Sequence, residues 1–309
     1  MLAPLLALGV RLDYDQRERW DTPDGDFIDI DWAGPERAPR LLVLFHGLEG
    51  DSASHYARAI GAQALATGGW RYAVAHFRGC SGEPNRKPRA YHAGDSDEID
   101  WILRRFAARH PCVYAVGVSL GGNALLKWLG ERGEAAAAVV RRAAAVSATI
   151  ELKAFGENIG TGFNRVYGWY FLYLAGMRAK ALGIIDRFPD ECAARGVSAR
   201  RVGETTTLPE FDDALTGPLH GFSDKFDYWR RASSITLLPR IRVPTLLLNA
   251  RNDPFLPGRV LPTPDGVADC LTPDFPLEGG HAGFPGRRQW LARRVLHFLS
   301  AADSKSAVT

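Results

Sequence analysis

Cysteine is scarce in this sequence, with four residues among 309. Cys80, Cys112, Cys192 and Cys270 lie far apart and form no Cys-x-x-Cys pair. This spacing gives no sign of a structural zinc site or of a disulfide framework. Free thiols are typical of a reducing compartment, so we expect a cytoplasmic protein. Nothing in the sequence implies a metal or an organic cofactor.

A large charge excess and a long apolar run are also missing. The 38 lysines and arginines nearly balance the 35 acidic residues, which leaves a net charge of +3. That charge is too small, and its arginine pairs too dispersed, for a nucleic-acid surface. Residues 1–10 are apolar, but they are too short to span a bilayer and lack the basic start and cleavage site of a signal peptide. We therefore expect no nucleic-acid partner and no stable membrane insertion.

Residues 112–128 carry the strongest functional signal. They begin as a run typical of a buried strand and end in good helix formers. A Gly-x-Ser-x-Gly motif, residues 117–121, lies between the two, with Ser119 at its centre. A strand that turns directly into a helix exposes the central residue at the helix N-terminus, where developing negative charge is favoured. Ser119 is thus a predicted nucleophile. The alternative is a glycine-rich turn in which Ser119 only caps the helix.

The rest of the sequence alternates apolar runs with amphipathic segments. Besides the strand before Ser119, the runs predict strands at residues 27–32, 41–45, 70–77, 143–148 and 244–249. Amphipathic helices are predicted at residues 95–108 and 287–299. Residues 11–32 should form a hairpin at one sheet edge, and residues 268–275, weakened by a proline, a strand at an edge. This alternation predicts an α/β fold with a mostly parallel, doubly wound sheet.

Between residues 151 and 238 the strand pattern disappears. We predict a mainly helical insertion, which would cap a core formed by residues 1–150 and 239–309. An aromatic run lies inside it, and Trp169 and Tyr173 are four residues apart and share a helix face. We expect one of these two to line an acyl-binding wall. The alternative is that the aromatic run is core packing.

A serine nucleophile needs a base and an orienting acid. Asp253 follows a predicted strand. His281 lies later, in a glycine-rich segment that precedes the last predicted helix. Loops at the carboxyl ends of parallel strands meet at one sheet edge, so these residues can converge on Ser119. Glu151 is the alternative acid, because it also follows a strand.

The loop after the strand at 41–45 reads His46-Gly-Leu48. An oxyanion hole requires two backbone N–H groups, and we predict those of Leu48 and Leu120. The alternative is a simple glycine turn. Among the other candidates, we expect His46 and His220 to contact substrate.

With these motifs the sequence resembles the YheT-like branch of the α/β-hydrolases, a group of carboxylesterases and lipid esterases. The resemblance extends over nearly the whole chain, and it is carried by residues 46–50, 76–85, 91–92, 117–123, 212–234, 249–254 and 279–281. It implies an α/β-hydrolase fold with Ser119 as nucleophile, Asp253 as acid and His281 as base. Trp229 departs from the pattern, because a tyrosine is common there.

The resemblance and the motifs together predict a serine carboxylic-ester hydrolase. It would act through an acyl-enzyme on a small-molecule substrate, a short- to medium-chain acyl ester or a lipid. Transfer of the acyl group to an alcohol would use the same three residues and is the enzymatic alternative. A non-catalytic binding protein on the same fold is the other alternative. The sequence leaves the oligomeric state open.

Overall fold

The computed structural model describes residues 10–284 and 289–301. They form an eight-stranded sheet with the order β1-β2-β4-β3-β5-β6-β7-β8. The strands are β1 (Gln16–Asp21), β2 (Phe27–Ala33), β3 (Arg40–Phe45), β4 (Trp70–Ala75), β5 (Val113–Val118), β6 (Arg142–Val146), β7 (Thr245–Leu248) and β8 (Leu271–Asp274). From β4 to β8 all neighbours are parallel, whereas β1 and β2 are antiparallel additions at one edge. The predicted mostly parallel α/β fold is confirmed.

Side-chain chemistry explains which strands are central and which are at the edge. The residues of β5 are buried on both faces, as a continuous apolar run requires. At one edge, Arg17 and Arg19 of β1 stand opposite Asp31 and Asp29 of β2 and form ion pairs of 2.6 and 2.8 Å, which fix the hairpin register. At the other edge is β8, where Pro273 cannot donate a ladder hydrogen bond. Both predicted edge strands are confirmed.

Helices cover both faces of this sheet. The core helices are α1 (His55–Thr67), α2 (Ser96–Ala107), α3 (Leu120–Arg132), α4 (Glu134–Ala137) and α13 (Trp290–Ser300). Because side chains alternate along a strand, Leu41 and Val43 of β3 pack with α2 and α3, while Leu42 and Leu44 pack with α1 and α13. The last helix begins at Trp290; we predicted a start at residue 287, and residues 287 and 288 lie outside the described residues.

Residues 152–240, between β6 and β7, contain helical segments and no strand. The α-helices are α5 (Leu152–Ile159), α6 (Arg165–Trp169), α7 (Met177–Arg187), α8 (Pro189–Ala194), α9 (Ala199–Gly203), α10 (Leu208–Phe211), α11 (Gly217–Leu219) and α12 (Lys225–Ala232). The predicted helical insertion is therefore present. Trp229 is buried inside it, against Gly156, and its indole N–H donates to Asp212 at 2.8 Å.

In the part of the chain that the structure describes, no helix is both long enough and apolar enough to cross a bilayer. Most of the apolar start considered above, residues 1–9, lies outside the described residues.

Candidate active site

Ser119 occupies the sharp turn between β5 and α3. Its φ of 55° lies in the left-handed region, which a serine adopts only when the surroundings enforce it. The backbone N–H of Ser119 donates to the Val146 carbonyl of the neighbouring strand at 2.8 Å and so holds the turn. A Cβ on Gly117 would collide with the backbone of Gly121, and a Cβ on Gly121 with the carbonyl of His46. Both motif glycines are therefore required by close backbone approach.

His281 and Asp253 meet Ser119 at the carboxyl ends of the strands. The Nε2 atom of His281 lies 2.9 Å from the hydroxyl oxygen of Ser119. On the other side of the ring, Nδ1 lies 2.9 and 3.1 Å from the two carboxylate oxygens of Asp253. Because an ionised carboxylate can only accept, the proton sits on Nδ1, which leaves Nε2 free to accept the hydroxyl proton. The three predicted residues form one continuous hydrogen-bond chain.

The orientation of Asp253 is fixed by its own loop. Its side chain is inaccessible to solvent and accepts the backbone N–H of Phe255 at 2.8 Å, in addition to the histidine proton. The alternative acid, Glu151, instead caps α5 by accepting the backbone N–H of Ala154 at 2.8 Å. The structure thus pairs His281 with Asp253 and gives Glu151 a local structural role.

Two residues that sequence reasoning missed hold the histidine loop in place. The side-chain oxygen of Asn252 accepts the backbone N–H groups of Gly279 and Gly280, each at 2.9 Å. The hydroxyl oxygen of Ser147, which has a φ of 47°, accepts the N–H of Ala282 at 2.9 Å. Asn252 directly precedes Asp253, and this position was the one sequence signal that could have identified it. No such signal existed for Ser147, because its hydrogen-bond partner Ala282 is 135 residues away.

The loop after β3 contains one backbone donor that stays unused. The N–H of Gly47 donates to the Tyr56 hydroxyl, that of Glu49 to the Tyr91 hydroxyl, and that of Gly50 to the Gly47 carbonyl. Within the described residues, the N–H of Leu48 has no acceptor. Nothing in this part of the molecule satisfies it, so it is available to a ligand.

The second unused donor lies at the start of α3. The N–H of Leu120 follows Ser119 directly and also finds no acceptor among the described residues. The first N–H groups of a helix have no partner inside the helix, and this one begins the first turn. The two N–H groups predicted for an oxyanion hole, those of Leu48 and Leu120, are thus both unpaired. The Cα of Gly47 lies close to Ser119, since a Cβ added there would be 3.1 Å from the serine Cβ.

The prediction that His46 contacts substrate is wrong. The ring is completely buried, Nδ1 lies 2.8 Å from the Gly47 carbonyl, and Nε2 accepts the backbone N–H of Phe77 at 3.0 Å. Both ring nitrogens are used inside the protein, so none is left for a ligand. His46 instead joins the loop after β3 to the loop after β4. Burial lowers the pKa of His46 to about 3, and the ring is neutral.

We expect acid to destabilise the fold through His46. The unfolded state binds a proton at this ring below about pH 6.5, whereas the folded state excludes it down to about pH 3. Stability from this group is therefore complete above pH 6.5 and is lost as the pH falls, by up to ~1.4 kcal/mol per pH unit. Urea unfolding of the wild type and His46→Gln across this window should show a shallower slope for the variant. Parallel curves would contradict the assignment.

Glu49 links the loop after β3 to the insertion. Its φ is 52°, and its buried carboxylate accepts the Tyr91 hydroxyl at 2.8 Å and the ammonium group of Lys180 at 2.5 Å. Lys180 belongs to α7, so an ion pair holds the insertion against the residue that follows Leu48. The Tyr91 ring stacks on Phe77 at 5.3 Å between ring centroids. Leu48 is thus flanked by a rigid network.

The structure also corrects the face of the aromatic run that points inward. Trp169 stacks on Tyr173 at 5.5 Å and is half exposed, and the Tyr173 hydroxyl lies 3.4 Å from the Thr205 carbonyl. Among the described residues, neither side chain has a hydrogen bond or ring contact with Ser119, Asp253 or His281. Tyr167 and Phe171, which share the other face, contact Phe255 at 4.9 and 6.1 Å between ring centroids. Phe255 in turn lies 4.2 Å from the ring of His281.

His220 lies away from the Ser119 site. It lines a cavity of about 580 Å³ together with Arg89 and Arg195, and Ser119 is not among the residues around it. Its ring contacts His92 at 4.5 Å, and burial lowers the pKa of both rings, that of His92 to about 3. His220 thus lines a cavity other than the one beside the loop after β3, and its contact with substrate stays a prediction.

A cavity of about 760 Å³ lies beside the loop after β3. Glu49 and Gly50 form part of its wall, and α7 closes it with Met177, Ala181 and Ile184. Ser119 is not part of this wall. The described residues contain no group of three or more histidine, cysteine, aspartate or glutamate side chains arranged to hold a metal ion.

Comparison with known proteins agrees with this architecture. The sequence profile of the alpha/beta hydrolase fold matches residues 40–285. The relative named "Putative esterase YheT", from Escherichia coli (strain K12), is 37% identical over 294 residues, which cover 92% of this chain and 84% of that protein. Monoacylglycerol lipase of Saccharomyces cerevisiae is 29% identical over 92% of this chain, but the match spans only 63% of the yeast protein.

Solved structures show the same fold at much lower identity. Est1E from Butyrivibrio proteoclasticus with bound ferulic acid superposes with a TM-score of 0.59 and 13% identity, covering 92% of this chain and 98% of that one. The matched profile includes β3 to β8 and all three residues of the hydrogen-bond chain. The chain belongs to the α/β-hydrolase family, and it is similar to the YheT-like branch within it.

Proposed function

We propose that this protein is a serine carboxylic-ester hydrolase that works through an acyl-enzyme. The observation that carries the proposal is the hydrogen-bond chain from Ser119 through His281 to Asp253, placed beside two unpaired backbone donors. Relatives named as an esterase and as a monoacylglycerol lipase support ester chemistry. A fold that only bound ligands would have no need for a strained serine aligned with a histidine.

The geometry supplies each proton and charge transfer. The Ser119 oxygen attacks the ester carbonyl carbon while Nε2 of His281 takes the hydroxyl proton. The carbonyl oxygen becomes an oxyanion that accepts the N–H groups of Leu48 and Leu120. Collapse of this intermediate breaks the bond to the alcohol, which leaves with the proton from His281. Water then attacks the acyl-enzyme by the same steps and releases the carboxylic acid and free Ser119.

Stereochemistry assigns a direction to the acyl chain. The leaving oxygen must face His281, which follows β8, and the oxyanion must face Leu48, so the acyl group extends away from the histidine. In the sheet order, the loops after β3 and β4 lie on the opposite side of β5 from β7 and β8. The cavity of about 760 Å³ is lined by those two loops and by α7. We propose that it receives the short- to medium-length acyl chain and that the helical insertion is the lid above it.

Widening a side chain in this cavity should shorten the preferred acyl chain. Each buried methylene contributes about 0.8 kcal/mol, close to fourfold, so kcat/KM should climb from acetyl esters towards medium chains. Met177→Trp should lower kcat/KM for medium-chain esters at least ~tenfold and leave acetyl esters nearly unchanged. Ala179→Trp is the matched control, because Ala179 is exposed on the same helix. Two results would place the acyl chain elsewhere. One is an equal loss of kcat/KM for all chain lengths in Met177→Trp, and the other is the same selective loss for medium-chain esters in Ala179→Trp.

A series of p-nitrophenyl esters of increasing acyl length, run with product analysis and added short alcohols, tests the reaction itself. Hydrolysis predicts release of free carboxylic acid with little ester of the added alcohol. Dominant formation of the new ester would identify the protein as an acyltransferase with the same nucleophile. No turnover of any ester, by folded protein, would contradict both enzymatic functions.

A further inference from the structure

The insertion exposes a patch of large apolar side chains. Phe163, Val166, Trp169, Tyr170 and Leu174 are each between 50% and 71% exposed. They lie on one continuous segment that runs through α6 and a π-helical turn over Tyr170–Leu174. Most exposed apolar residues on proteins are scattered, whereas a contiguous group of this kind marks an interaction surface. We call these five residues the aromatic patch.

The segment has two faces with different surroundings. Phe163, Val166, Tyr170 and Leu174 follow one another at intervals of three and four residues, so they lie along one side of the helical segment. The opposite side holds Leu172, which is completely buried in the insertion. The patch is therefore the outer side of a well-packed element.

Charge on the segment that carries the aromatic patch has one sign. Residues 158–185 contain Arg165, Arg178 and Lys180 and no aspartate or glutamate. Lys180 is paired with Glu49.

Arg165 and Arg178 form no ion pair with any residue in the described part of the chain. Arg178 donates to the Gly203 carbonyl at 2.8 Å and lies over the Tyr173 ring, whereas Arg165 is exposed to solvent. An exposed cation beside the aromatic patch, with no acidic residue on the segment, complements a lipid surface whose headgroups are anionic.

We propose that the aromatic patch binds the surface of a bilayer containing anionic lipid. Tryptophan and tyrosine favour the interface of lipid and water, and nearby arginines gain from anionic headgroups. The segment is too short to cross the bilayer, and its inner side is packed against the rest of the insertion, so the protein would lie on the lipid surface. This inference goes beyond the proposed function, because docking requires no catalysis.

The aromatic patch lies close to the proposed active site. On the inner side of the same segment, Tyr167 and Phe171 contact Phe255, which contacts the ring of His281. The amides of Asn158 and Asn164 also donate to the carbonyl of Pro254, beside the catalytic acid. A lipid surface on the patch is thus one layer of side chains from the triad.

Sedimentation with vesicles tests the proposal independently of catalysis. Full-length Ser119→Ala protein is mixed with vesicles of phosphatidylcholine alone or of phosphatidylcholine with phosphatidylglycerol. We expect stronger binding to the anionic vesicles, weakened by salt. Adding Phe163→Asp and Tyr170→Asp should reduce that binding at least ~tenfold, because two apolar contacts are replaced by like charge. Leu277→Asp is the matched control, since Leu277 is the most exposed of the large apolar side chains outside the patch, and it should bind as before.

Two results would overturn the proposal. One is equal vesicle binding by the patch variant and the Leu277→Asp control. The other is a parent protein that ignores vesicles but forms a dimer in analytical ultracentrifugation that the patch substitutions dissolve, which would assign the patch to a second copy of the chain. Circular dichroism and thermal unfolding of the patch variant report whether its fold is intact, and neither measurement requires ester turnover. Loss of the proposed hydrolase function would leave the vesicle result unaffected.

Discussion

Ser119→Ala should reduce kcat for ester hydrolysis by ~10⁶-fold, the scale seen when a triad nucleophile is removed. The alanine fits the same turn, and the backbone N–H to Val146 is retained, so the fold should persist. No other hydroxyl is hydrogen bonded to His281 in the part of the chain that the structure describes. The residual rate would come from binding and the two backbone donors.

Circular dichroism and thermal unfolding provide the structural control for this variant. Ser198→Ala provides a matched chemical control, because Ser198 only caps a short helix of the insertion. It should keep wild-type turnover. Turnover by purified Ser119→Ala within tenfold of the wild type would remove Ser119 from the nucleophile role.

Asp253→Asn should have the second largest effect, a loss of up to ~10⁴-fold in kcat. The asparagine can still occupy the buried site, but its amide offers donors where the carboxylate accepts from Nδ1 of His281. The ring then favours the tautomer with the proton on Nε2, which cannot accept the serine proton. The stabilisation of the imidazolium that forms during the reaction is lost as well.

Glu151→Gln is the control for the alternative acid. Because Glu151 caps α5, this change should lower stability slightly and leave kcat within a few-fold of the wild type. Steady-state kinetics of the two variants on one ester decide between the acids. A damaging Glu151→Gln with a mild Asp253→Asn would reverse the assignment.

Local chemistry made the turn around Ser119 predictable. A strand, two glycines that allow close approach, and a helix are contiguous in sequence, so short-range sterics alone define the geometry. The placement of Asp253 and His281 followed from a more general rule, that loops at strand ends converge at one edge of a parallel sheet. Both kinds of information are present in a single sequence.

Side-chain direction at longer range was not predictable. His46 follows a strand in the same way that a ligand-binding residue would. Its Nε2 atom, however, accepts a hydrogen bond from the backbone N–H of Phe77, which is 31 residues away in sequence. The four-residue spacing of Trp169 and Tyr173 identified a shared face, yet periodicity does not specify which face meets the core. Only the packing of Phe255 against Tyr167 and Phe171 decides it.

Mass-spectrometric mapping of a fluorophosphonate adduct tests the central proposal most directly. The reagent phosphonylates a serine only where a base activates the hydroxyl and donors stabilise the anionic oxygen, which requires the whole arrangement at once. The account predicts a single adduct on the peptide containing Ser119, absent from Ser119→Ala and much slower to form in Asp253→Asn. Folded protein that stays unmodified, or carries its adduct on another residue, would contradict it.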